Sequence, residues 1–319
     1  MKYLLTAIGF AILMNAGAQN DPVFSHYMIN PLVSHPGWAA VEKESHATVQ
    51  VRSQWTGYRS SFDGPGGAPN TQFVSALITS EGFLSGIGAI IINDDLGPLN
   101  NLQVNFPIAK EFNVGYNKLS VAVQPGLFSQ TQKFDELRFV DPDDPFNVGS
   151  RETQLNFNLG AGLVFRTRSN AYVAITANDI LEPGFNYGFS DTVNFNNNLI
   201  RSYTIFSGLP LDFTRDLSVT PNLQVRSDLN TFTFDLGGVV NYKERGWAGL
   251  SYRWDEAITL LIGYSFLPGN KLKVGYAFDY VTNEREAKQP TSQEFFVRYA
   301  LPNIVFGGRK QVKTPRFTY

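Results

Sequence analysis

The sequence predicts an all-β fold, a transmembrane antiparallel β-barrel of about 14 strands. Three observations predict it: apolar and polar residues alternate strictly over long stretches, the stretches are long enough to cross a bilayer, and the loops between them sort by length.

The chain opens with Lys2, an apolar run from Leu4 to Met14 and the small-residue pattern Ala16-Gly17-Ala18. This reads as a secretory signal peptide over residues 1–18, with Gln19 as the first mature residue. The run is shorter than the roughly 20 residues of a spanning helix. No cysteine follows it, as a lipoprotein would require. The remaining chain is long for one soluble domain, yet it shows no linker and no shift in composition. A membrane barrel escapes that size limit because it has no single packed core to outgrow. No later segment is continuously apolar over 18 residues, which excludes helical spans.

Composition narrows the class further. With no cysteine, an exported chain of this size must be held by something other than disulfides, and a closed strand ladder would serve. The net charge of −2 argues against nucleic acid as a partner. Aromatic residues make up 14% and Gly and Asn are abundant, as aromatic girdles and tight turns require.

Period-two alternation is clearest in three segments. Phe232, Phe234, Leu236, Val240 and Tyr242 oppose Thr231, Thr233, Asp235 and Asn241. Leu272, Val274, Tyr276, Phe278 and Tyr280 oppose Lys271, Lys273 and Asp279, and Leu155, Phe157, Leu159, Leu163 and Phe165 oppose Gln154, Asn156 and Asn158. Such a strand has one wet and one oily face. Strands are expected at 47–55, 71–79, 84–93, 99–112, 116–129, 153–166, 171–179, 200–212, 216–226, 230–242, 246–254, 257–267, 271–282 and 293–301. The oily set should meet lipid and the Thr, Ser, Asn, Gln and Gly set should face the lumen. Gly160, Gly162, Gly237 and Gly238 suggest lumen faces with room for a loop or for the N-terminal segment.

Numbering these strands from one, the even-to-odd links are short and rich in Gly, Asn, Pro and charge. The long links, 56–70, 130–152, 180–199 and 283–292, are all odd-to-even. A soluble sandwich has no reason for this parity, whereas an outer-membrane barrel has short periplasmic turns and longer outer loops. An even strand count then leaves both termini in the periplasm. The domain reading is a periplasmic or plug-like segment at 19–46, a barrel at 47–306 and a periplasmic tail at 307–319.

Candidate chemistry is sparse, and no enzyme, cofactor or metal is expected. His26, His35 and His46 all lie near the mature N-terminus, where they read as surface or periplasmic residues. No Ser-His-acid arrangement can be assigned from them, and their spacing fits no tight zinc motif. Asp141-Pro142-Asp143-Asp144-Pro145 reads as a stiff polar loop rather than a calcium loop. Ser85-Gly86-Ile87-Gly88-Ala89 is a glycine-rich strand with no helix after it, so it is no phosphate cradle. Phe24, Tyr27, Met28 and Trp38 would expose apolar surface if the segment were free, which signals either a plug or a docking segment.

Asp21, Pro22, Ser25, Tyr27, Asn30, Pro31 and Leu32 form the pattern Asp-Pro-x-x-Ser-x-Tyr-x-x-Asn-Pro-Leu just after the signal peptide. Arg52, Gln54, Trp55 and Gly57 form Arg-x-Gln-Trp-x-Gly, and Pro69-Asn70-Thr71 approximates a downstream Pro-x-Thr. On these residues the chain resembles the PorP/SprF family of Bacteroidetes outer-membrane proteins. It departs at Pro36-Gly37-Trp38-Ala39-Ala40, where the family has Pro-x-x-Ala-Gly. The resemblance implies an outer-membrane component of type IX secretion and gliding motility. Its partners would be the C-terminal region of a surface adhesin and the periplasmic ring lipoproteins of the machine. Candidate partner-binding residues are Asp21, Pro22, Ser25, Tyr27, Asn30, Pro31, Arg52, Gln54 and Trp55, with Arg309, Lys310 and Arg316 of the tail. A different reading is a passive outer-membrane transporter, either a porin or a barrel like those that carry fatty acids.

Overall fold

A computed structural model describes residues 21–58, 67–80, 83–137, 150–190, 193–283 and 289–302. In chain order the strands are β1 (His46–Ser53), β2 (Asn70–Thr79), β3 (Gly86–Asp95), β4 (Leu99–Asn105), β5 (Ile108–Val114) and β6 (Asn117–Lys133). Then come β7 (Arg151–Arg166), β8 (Tyr172–Asn178), β9 (Gly184–Ser190), β10 (Val193–Asn198), β11 (Ser202–Gly208) and β12 (Leu211–Asp212). The series ends with β13 (Leu217–Ser227), β14 (Phe232–Tyr242), β15 (Gly246–Arg253), β16 (Ala257–Phe266), β17 (Leu272–Val281) and β18 (Thr291–Ala300).

These strands close into a 14-stave antiparallel barrel, because β5 continues β4, β12 continues β11, and β9 and β10 form a separate two-stranded hairpin. The ring shuts through β1 on β18, with Val49 opposite Val297, and is completed where β11 meets β13, with Ile205 opposite Val225. The ends of the predicted strands fall within a few residues of the observed ones. Two predicted strands are broken, and proline is the reason in both. Pro107 follows the break after β4, and Phe106 N–H turns to Pro125 O at 2.9 Å. Pro210 interrupts the second strand, where Leu209 N–H donates to Pro221 O at 3.1 Å. The hairpin of β9 and β10 was not anticipated, since the long 180–199 link reads as a loop.

Alternation settles which face is which. Leu260 and Ile262 of β16 are 54% exposed, while Thr259 and Leu261, which alternate with them, are fully buried. The outward set meets lipid and carries aromatic residues toward its ends, such as Tyr264 and Phe266 at one end and Tyr252 and Trp254 at the other. Among the described residues no helix is long and apolar enough to cross a membrane. Gly238 corrects one expectation: it faces outward beside Leu250, because strict alternation cannot send both Gly237 and Gly238 into the lumen.

The lumen is occupied by the chain's own N-terminal segment. Residues 21–45 form three short 3-10 turns, at Ser25–Met28, Pro31–Val33 and Pro36–Ala40. Pro31 and Pro36 open two of them, a position where the missing N–H costs nothing. The carbonyls of His26, Pro31 and Trp38 each accept two backbone N–H groups and so wind the segment tightly. Inward glycines make the space. A Cβ on Gly86 would overlap Ala39 O, and one on Gly162 would meet Pro36 Cγ at 3.1 Å. Phe24, Leu32, Ala39 and Ala40 pack on Phe73, Leu77, Ile90 and Ala109, while Tyr27 and Met28 join Phe206, Leu261 and Phe296.

Candidate functional site: the latch between plug and barrel wall

The plug is fixed at the seam where the first and last strands meet. Arg52 of β1, Asp279 of β17 and Glu294 of β18 point into the lumen, each essentially without solvent exposure. Arg52 Nη2 lies 2.6 Å from Asp279 Oδ2, and its Nη1 lies 3.4 Å from Glu294 Oε2. Ser25 Oγ donates to Asp279 at 2.8 Å, and Ser25 N–H donates to Glu294 Oε2 at 2.6 Å. His26 gives two further bonds to Glu294 Oε1, from its backbone N–H at 3.1 Å and from Nδ1 at 2.8 Å. Asn30 Nδ2 donates to Gln50 Oε1 at 2.6 Å, and Arg298 Nη2 donates to Asn30 Oδ1 at 2.7 Å. A buried carboxylate is tolerated only when paired and hydrogen-bonded, and Glu294 meets both conditions with donors from plug and wall alike.

A second ion-pair cluster braces the wall next to the latch, two strands along. Asp235 of β14 accepts from Arg253 Nε at 2.8 Å and Arg226 Nη2 at 2.9 Å. Toward the long-loop end Asp21 accepts from Ser202 Oγ at 2.8 Å and Asn178 Nδ2 at 3.4 Å. The adjacent Asp179 keeps one buried carboxylate oxygen without a partner among the described residues. Burial pushes the Asp21 carboxyl above its usual range. Asp179 is raised to about 8, by burial first and by the neighbouring Asp21 charge second. Both line a polar cavity of about 60 Å³ shared with Gln103, Asn105 and Asn158, room for a few waters rather than a solute path.

Three of the sequence candidates, Ser25, Asn30 and Arg52, meet at the latch. Tyr27 packs edge-on to Phe206 at 5.7 Å, Pro31 opens the second turn, and Asp21 and Pro22 line the cavity. Gln54 and Trp55 stand apart at the rim, where Gln54 N–H donates to Pro69 O and Trp55 N–H to Ser292 Oγ. Arg309, Lys310 and Arg316 lie outside the described residues, as do the Asp141–Pro145 run and the signal peptide. The three histidines correct the surface reading, since all are buried. His35 stacks on Phe206 and meets Thr176 Oγ1 at 2.9 Å, and burial lowers its pKa to about 3 with Arg226 assisting. His26 makes no bond to Ser25 Oγ, which is turned to Asp279, so the neighbours form no Ser-His-acid relay.

Sequence reasoning missed Asp279, Glu294, Arg253 and Arg298 as site residues. The available signal was charge at wet-face positions of membrane strands. A charge in a lumen filled by protein must find an opposite one.

One family description matches residues 16–299: type IX secretion system membrane protein PorP/SprF. The chain belongs to the PorP/SprF family. Its barrel is also similar to solved outer-membrane barrels at low identity, which concerns the fold alone. The Ralstonia pickettii toluene transporter TbuX shares 11% identity over 90% of this chain and 96% of its own, with a TM-score of 0.52. The Pseudomonas putida toluene transporter TodX shares 9% identity over 89% and 95%, at a TM-score of 0.47. A Pseudomonas aeruginosa FadL homologue shares 10% over 83% and 92%, at 0.46. No curated protein matches the chain. In this PorP/SprF protein, Asp21 to Pro31 belong to the segment that lies inside the barrel.

Proposed function

We propose that this PorP/SprF protein is a rigid, plugged outer-membrane socket that holds or passes an exported surface adhesin for the type IX machine. Family membership supports the secretion role. The observation that carries the socket is the latch: the N-terminal segment packs inside the lumen and is tied to the wall by paired charges and hydrogen bonds. The outer loops and the rim residues Gln54 and Trp55 contact the adhesin's C-terminal region. The tail bearing Arg309, Lys310 and Arg316 emerges on the periplasmic side and meets an acidic surface of the ring lipoproteins. A pulldown from a type IX-competent envelope should recover a ring lipoprotein or an adhesin C-terminus. Recovery of neither in mild detergent would sink the reading.

A second reading, passive transport of small solutes, draws on the likeness to the TbuX barrel. Single-channel recording separates the two. The socket gives no steady conductance as long as the plug is seated, whereas a large steady open level supports transport.

A further inference from the structure

Two neighbouring strands are far longer than the rest. β6 has 17 residues and β7 has 16, against 7 in β8. β7 stays paired with β6 along its whole length, from Arg151 opposite Lys133 to Arg166 opposite Lys118. On its other side it pairs with β8 only from Ala161 to Arg166. Residues 151–158 therefore project past β8 with one edge unpaired among the described residues. Leu159 shows which residues point that way: its carbonyl accepts from Ile180 N–H and its N–H donates to Asn158 Oδ1. Antiparallel ladders alternate, so Thr153, Leu155 and Phe157 also aim their backbone groups at this edge, where no described residue meets them.

The other sides of the projection are accounted for. The inner face is covered by the β9–β10 hairpin, through Gln154 and Asn156 side chains bonded to the backbone at Asn186 and Gly184. Phe185 packs on Phe128 behind them. The outer face carries Leu155 and Phe157, 62% and 77% exposed. An unpaired edge cannot lie in hydrocarbon, where each open N–H and C=O is heavily penalised, so this stretch stands in water above the lipid. There its apolar face and its open edge both lack cover among the described residues.

We propose that the outer edge of β7 at Thr153–Phe157 is a docking strand, on which an extended, alternately apolar segment of the exported partner adds as a further strand. This rests on the anchoring function above and names its contact. An added strand satisfies the open backbone groups and lays its own apolar residues beside Leu155 and Phe157. A second copy of this chain cannot do so. Two barrels upright in one membrane present β7 running in the same sense and, with each strand tilted about 35–45°, crossing at about twice that angle. Such strands share no ladder.

The test places a photo-cross-linking benzoylphenylalanine at 155 and, separately, at 157 of the full chain in a type IX-competent envelope. Alongside it stands Leu155→Pro, which removes an edge-facing N–H and spares the ladder to β6. Both probes should cross-link to one exported protein at residues two apart. Leu155→Pro should lower the retained partner at least tenfold with barrel heat-modifiability unchanged, and amide exchange at Thr153, Leu155 and Phe157 should slow at least tenfold in the purified complex. Cross-links to lipid alone, to a second copy of this chain or to scattered partner residues overturn the proposal. If Leu155→Pro keeps its partner, the docking strand falls and anchoring stands. If the unaltered chain retains no exported protein, both fall.

Discussion

Arg52 and Asp279 face each other across the lumen wall at 2.6 Å with almost no solvent around either side chain. Ser25 of the plug bonds to both. The pair thus serves the wall and the plug together, and the consequences of breaking it can be measured.

Removing one member of a buried pair leaves the other charged and alone, a cost of roughly 3–5 kcal/mol. Arg52→Ala and Glu294→Ala should each lower stability by about that much in urea titrations of the detergent-folded barrel. Arg52→Met combined with Asp279→Leu and Glu294→Leu should cost less than either single truncation. A triple variant weaker than the singles would place the stabilisation in charge pairing itself.

Gly86 lies where a Cβ would overlap Ala39 O, a backbone atom that cannot step aside. Gly86→Val should leave the barrel able to close but raise amide exchange across residues 36–40 by at least tenfold. Unchanged exchange there would mean that the third turn is held by something other than this close approach.

The membrane face offers a control of opposite kind. Leu260 is outward and half exposed, while Thr259 beside it is buried. Leu260→Arg should destabilise the barrel in lipid by roughly 2–4 kcal/mol. Equal stability in lipid would show that β16 does not meet acyl chains.

Two buried groups set opposing pH limbs. Asp179, raised to about 8 in the folded chain, binds a proton that the unfolded chain has already released. Its contribution is complete below the ordinary carboxylate range and is lost as pH climbs toward 8. His35, lowered to about 3, stays neutral when folded while the unfolded imidazole charges below about 6.5, so stability falls as pH drops through that range. Asp21, Arg226 and Asp94 are the other charges around this site. Between about pH 4 and 6.5 the two slopes oppose and nearly cancel, so the thermal unfolding midpoint in detergent from pH 4 to 9 should stay level there and fall from about 6.5 to 8. Asp179→Asn should flatten the alkaline fall and expose a loss of stability toward acid, and His35→Gln should make stability climb as pH drops from about 8 to 4. If neither variant changed its limb, other groups would be responsible.

The staves were legible because lipid on one side and a polar lumen on the other impose period two, as Ile258, Thr259 and Leu260 illustrate. The short links were legible from turn chemistry. The plug's chemistry was less so. Phe24, Tyr27 and Trp38 signalled that the segment needs cover, but the cover comes from Phe73, Phe206 and Tyr172, far along the chain, and a lone sequence carries no pairing for such distances. Asp279 and Glu294 look like any wet-face polar residues until Ser25 and His26 are set against them. The β9–β10 hairpin was hidden for a different reason: its strands, Gly184–Ser190 and Val193–Asn198, have 7 and 6 residues, too few to cross a bilayer, although Phe185 and Tyr187 do supply an apolar face.

The plug is made first, and its anchors, Asp279, Glu294 and Arg298, are made last. They sit beside the pairing of β1 with β18 that shuts the cylinder. During biogenesis the leading segment can meet Gln50, Arg52 and Phe73 early, but its charged anchors arrive only with the final strands. Full seating of that segment and closure of the wall therefore draw on the same late residues.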